Sequence, residues 1–89
     1  MFVLMTYDVH ARRVAKALKV SRRYLRRVQN SVFEGELTPG GLSALKRDLG
    51  EVLDPEYDSV FFYTWREPWQ ISRDAIGPLR PMDERANFI

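Results

Sequence analysis

A two-layer α+β domain, with two helices laid on one face of an antiparallel sheet, is the fold class this sequence predicts. Three observations predict it: strand-like apolar runs over residues 2–7 and 59–65, two segments of helical apolar spacing between them, and a length of 89 residues, which admits a single domain. Residues 2–7 form a continuous apolar, β-prone run that ends at Asp8, as expected of a central strand buried on both faces. From Ala11, the positions Ala11, Val14, Ala15 and Leu18 follow helical spacing, with Arg12, Arg13, Lys16 and Lys19 on the other faces. Val20 and Ser21 mark the end of this helix, although Leu25 fits one further turn.

Residues 24–36 are rich in β-branched and aromatic side chains. They read either as two short strands joined at Asn30 and Ser31 or as one bent strand, and Gly35 permits a bulge or a close backbone approach. Thr38 followed by Pro39 is an N-cap with proline at the first helical position, and Leu42, Leu45, Leu49, Val52 and Leu53 continue as one apolar stripe. Asp54 and Pro55 stop that helix before the strand at 59–65. The order strand, helix, strand pair, helix, strand is that of a ferredoxin-like βαββαβ sandwich. Residues 69–72 are expected to add a short strand, Gly77 and Pro78 punctuate, and residues 86–89 are apolar enough to need a partner.

Composition narrows the function classes. The 45% apolar content excludes a disordered chain, and the absence of cysteine excludes disulfides, thiolate metal sites and cysteine nucleophiles. No apolar run reaches the roughly 18 residues of a membrane span, and no basic leader or small-residue cleavage site follows Met1, so a soluble cytoplasmic protein is expected. A chain this short buries only about 60–65% of its unfolded surface, so further burial in a homodimer is expected as well.

The net charge of +2 conceals a strong segregation. Residues 11–27 carry eight basic side chains (Arg12, Arg13, Lys16, Lys19, Arg22, Arg23, Arg26, Arg27) and no acid, whereas residues 28–89 carry six bases and eleven acids. Arginine outnumbers lysine eleven to three. The guanidinium fork matches phosphate oxygens, so a polyanion is the expected partner. The alternative is a solvated basic helix face balanced by the acids of the second half.

Asp8 is the leading candidate for chemistry. A carboxylate at the end of a strand and close to paired arginines can bind Mg²⁺ or Mn²⁺ while the guanidinium groups hold a phosphodiester. One carboxylate is a poor site for such a cation, and a two-fold axis near Asp8 would bring two together. Without a dimer, Asp8 reads as a strand-end residue capping the following helix. His10, the only histidine, is a weaker candidate as general acid or base. The aromatic cluster Phe61, Phe62, Tyr63, Trp65 and Trp69 reads as core and dimer contact before it reads as a base-stacking platform.

Several blocks are more specific. Tyr7-Asp8-Val9, Arg12-Arg13-Val14, Arg27-Val28-Gln29-Asn30-Ser31-Val32-Phe33-Glu34-Gly35-Glu36-Leu37 and Asp58-Ser59-Val60 together resemble the CRISPR-associated Cas-two family, over nearly the whole chain. The resemblance implies a ferredoxin-like homodimer that cleaves phosphodiester bonds of single-stranded RNA or double-stranded DNA with Mg²⁺ or Mn²⁺. It places Asp8 of each protomer near the two-fold axis as metal ligand and catalytic residue, with Arg27, Ser31 and Phe33 at the same site. Arg12, Arg13, Lys16 and Arg27 are then the nucleic-acid contacts. The resemblance also implies a partnership with the CRISPR adaptation integrase in spacer acquisition, where this chain would serve as a non-catalytic DNA-binding scaffold in the alternative reading. The C-terminal extension, residues 76–89, would then pack on the partner protomer as an added strand. His10 stands in a loop where relatives commonly carry acids.

Overall fold

The computed structural model describes residues 1–67, 69–70 and 72–78. Its elements are β1 (Phe2–Asp8), α1 (Val14–Arg22), β2 (Arg26–Gln29), β3 (Val32–Glu36), α2 (Pro39–Val52), β4 (Ser59–Trp65) and β5 (Ser72–Ile76). The five strands form one antiparallel sheet in the order β2-β3-β1-β4-β5, the ferredoxin-like arrangement with a fifth strand added at the β4 edge.

β1 is central, but it is not buried equally on its two faces. Val3, Met5 and Tyr7 point into the core beneath the helices, while Phe2, Leu4, Thr6 and Asp8 alternate onto the opposite, open face and are only half-buried. The same alternation runs through β4, where Val60 and Phe62 are core and Phe61, Tyr63 and Trp65 lie on the open face. Of the aromatic cluster, only Phe62 is therefore core, and Trp69 is 78% exposed.

α1 begins at Val14 and not at Ala11, because residues 11–13 form a turn closed by Arg13 N–H donating to the His10 carbonyl at 2.9 Å. Its buried residues are Ala17, Val20 and Ser21, whereas Ala11 and Ala15, expected on the apolar stripe, are exposed. The helix is rotated from its expected phase. A serine can occupy the core side because its hydroxyl donates to the Ala17 carbonyl at 2.7 Å. Lys19 and Arg22 sit in the last turn, where they complement the helix dipole.

Residues 24–36 form two strands, not one bent strand. Asn30 and Ser31 make the turn, with Ser31 at φ 61°, and the pairing of β2 with β3 shifts register between Arg27 and Gln29. Gly35 serves close approach: a Cβ there would lie 3.2 Å from Leu25 Cδ2. α2 follows expectation, with the Thr38 hydroxyl accepting from Gly41 N–H at 3.0 Å and Leu42, Leu45 and Leu49 buried. The fifth strand lies later than the expected 69–72. Its end residue Ile76 packs on this chain's own core, and residues 79–89, including the expected partner-facing 86–89, lie outside the described residues. Among the described residues, no helix is long and apolar enough to cross a membrane.

Candidate nuclease site

Asp8 is the last residue of β1 and is paired in register with Ser59 on β4. Its chain is fixed from both sides. On the β3 side, Tyr7 N–H donates to the Ser31 carbonyl at 3.1 Å, which sets the Asn30–Ser31 turn beside the strand end. On the β4 side, the loop after Val9 is gathered around Asp58.

Asp58 is fully buried and its carboxylate accepts four hydrogen bonds. Arg13 supplies two, from Nε to Oδ2 at 2.5 Å and from Nη2 to Oδ1 at 2.9 Å. The backbone N–H groups of His10 and Asp54 supply one each, both at 2.9 Å. Burial pushes the Asp58 carboxyl upward, but Arg13 and the two amides outweigh it and hold the group below its ordinary value. An acidic residue with all its lone pairs satisfied is stable in the interior only as the anion.

The expected site residues divide between the two faces of the sheet. Asp8 lies on the open face. Phe33 is fully buried on the helix side and packs on Tyr7, with ring centroids 5.5 Å apart, so it supports the end of β1 and does not itself meet a substrate. Arg27 pairs across from Phe33, donates to Asn30 Oδ1 at 2.6 Å and is exposed. Burial raises the Tyr7 phenol pKa, opposed by the positive charges of Arg27 and Arg22. Ser31 reaches Tyr7, the neighbour of Asp8, through its main-chain carbonyl.

Seven of the eight cations between residues 11 and 27 are exposed: Arg12, Lys16, Lys19, Arg22, Arg23, Arg26 and Arg27. Arg13 is the exception, with its side chain 21% exposed and its fork committed to Asp58. His10 Nδ1 accepts from Arg12 N–H at 3.2 Å. A cleft of about 290 Å³ lined by His10, Arg12, Arg13, Asp54 and Tyr57 opens beside this loop.

The described residues of one chain do not fit a divalent cation by themselves, since no three His, Cys, Asp or Glu side chains among them converge on one point. Asp8 brings one carboxylate, and a second copy of the chain would have to bring another. The residue that reading the sequence overlooked is Asp58, noticed only as part of a strand-entry motif. Its partner Arg13 lies 45 positions away, so no local spacing signalled the pair.

The family model described as CRISPR associated protein Cas2 matches residues 1–72. A CRISPR-associated endoribonuclease Cas2 of Thermotoga maritima is 54% identical over 77 residues, covering 86% of this chain and 88% of the relative. Another from Methanosarcina acetivorans is 36% identical over 89 residues, the full length of both. Among solved structures, Streptococcus pyogenes Cas2 at pH 6.5 superposes with a TM-score of 0.68 at 37% identity, covering 78% of this chain and 90% of that one.

Proposed function

This chain belongs to the CRISPR associated protein Cas2 family, and from that membership we propose that it is a metal-dependent endonuclease of CRISPR defence, active as a homodimer. The reading rests on one observation above others: Asp8 stands at a strand end on the open face, anchored through both flanking segments, with Arg12 and Lys16 exposed beyond the adjoining loop.

In this reading, the Asp8 carboxylates of two protomers would together hold Mg²⁺ or Mn²⁺. When bound, the cation supplies a more acidic water and offsets charge on the scissile phosphate. Arg12, Lys16 and Arg27 bind the backbone phosphates and orient them. The Ser31 turn fixes the approach to Asp8, and Phe33 supports it from beneath. The substrate is single-stranded RNA or double-stranded DNA; the relatives' endoribonuclease names favour RNA. The open face supports dimerisation, because Phe2, Leu4, Phe61, Tyr63 and Trp65 form an apolar stripe there that the helices leave uncovered.

A second reading is favoured by the row of exposed cations along α1 and β2, which does not depend on Asp8. There the dimer is a DNA-binding scaffold for the CRISPR adaptation integrase during spacer acquisition. Asp8→Asn separates the two. Loss of metal-dependent cleavage with acquisition retained makes the nuclease real and dispensable for acquisition. Wild-type protein that cleaves neither RNA nor DNA with Mg²⁺ or Mn²⁺ leaves the scaffold alone.

A further inference from the structure

We infer that Asp58 is a positioning residue for the Asp8 site, fixing the loop of residues 9–13 and withholding the Arg13 guanidinium from nucleic acid. The catalytic arm of this inference rests on the nuclease reading of Asp8; the structural and charge arms do not.

Asp58 adjoins Ser59, the register partner of Asp8. Its four accepted hydrogen bonds reach residues 10 and 13 on one side and residue 54 on the other, so one carboxylate clamps the loop that follows Asp8 to the turn that precedes β4. The clamp is itself held in place. Gly77, at φ 85°, lies so close to the Asp58 carbonyl that any Cβ would collide with the main chain there. The end of β5 therefore buttresses Asp58 from behind.

The charge consequence is specific. Arg13 is the one cation of the 11–27 segment that is not exposed, and both Nε and Nη2 are spent on a buried anion. While Asp58 is ionised, the pair carries no net charge toward a polyanion, and Arg12 beside it is left to face solvent.

Asp58→Asn keeps the volume but exchanges an acceptor for an NH₂ donor, which must then face an Arg13 N–H together with the N–H of either His10 or Asp54, because each carboxylate oxygen accepts from Arg13 and from one amide. The loop should loosen and Arg13 should be released. We expect kcat for cleavage to fall about 100-fold, the cost of a displacement of about 1 Å near reacting atoms. KM should stay level or fall, and the salt dependence of duplex binding should steepen by about one phosphate contact. A residue that only supports the fold would weaken binding and hydrolysis together. Amide hydrogen exchange at residues 10–13 should quicken while the variant remains folded. Wild-type values of kcat, salt slope and loop exchange in Asp58→Asn overturn the inference. Should the wild type cleave nothing, the nuclease reading falls, and loop exchange with salt slope still decides on Asp58. If Asp58→Asn does not fold, Arg13→Lys takes its place, since one ammonium cannot reproduce the fork. Faster exchange at residues 10–13 in that folded variant supports the clamp, and unchanged exchange overturns it.

Discussion

The N–H of Tyr7 donates to the carbonyl of Ser31 at 3.1 Å, so the turn joining β2 and β3 is stitched to the residue immediately before Asp8. Ser31 makes this bond from the left-handed region, at φ 61°, where a side chain is disfavoured and a β-branched one most of all. Ser31→Gly should keep the bond and leave stability unchanged or slightly raised. Ser31→Val should cost about 1–2 kcal/mol in urea denaturation and lower cleavage as the turn shifts. Equal stability of the two variants would contradict this account of the turn.

The exposed cations predict a graded salt response. Lys16→Ala removes one exposed charge from α1 and leaves the buried positions Ala17, Val20 and Ser21 untouched. The slope of log binding constant against log salt should become shallower by about 0.7–0.9, the contribution of a single phosphate contact. Titrations of the wild type and the variant between low and moderate salt measure it, and an unchanged slope removes Lys16 from the interface.

Stability should depend on acid in a defined window. Among the described residues, three carboxyls are held below their ordinary value of 3.8: Asp58 by Arg13 and two amides against its burial, Asp48 by the Tyr24 hydroxyl, and Asp74 by Lys46. Their folded pKa values lie under their unfolded ones, so their stabilisation is complete above about pH 4 and is lost as pH falls through the folded values. The melting temperature should therefore drop below about pH 4, while these groups add no pH dependence between about pH 5 and 8. Asp58→Asn should make the acid limb shallower. A melting temperature that rises on acidification would refute the assignment.

Much of the architecture is legible in the chain because its signals are local. Thr38 and Pro39 announce α2, and the leucines at 42, 45 and 49 give its phase. The α1 phase is harder to read, since six residues of α1 and its neighbours are basic up to Arg23, and the core-facing Ser21 hides its polarity in a bond to its own helix. β5 is obscure for another reason: it is an edge strand whose residues are exposed up to Ile76, so no apolar alternation marks it. Asp8 stands out as an acid at the end of an apolar run. The Arg13–Asp58 pair does not, because only the folded chain brings a helix entry and a strand entry together.

The open face of the sheet predicts how the chain associates. Leu4 alternates onto that face between Glu34 and Tyr63, away from the core beneath the helices. Leu4→Lys should leave the monomer folded, as seen by circular dichroism, and shift sedimentation from dimer to monomer, because a charge at a buried apolar contact is strongly unfavourable. Dimers of unchanged affinity would place the interface elsewhere.

Calorimetric titration with Mn²⁺, read for stoichiometry, tests the shared Asp8 site most directly. One ion per two chains is expected, with that binding abolished in Asp8→Asn. One ion per chain, or binding that survives in Asp8→Asn, would contradict it.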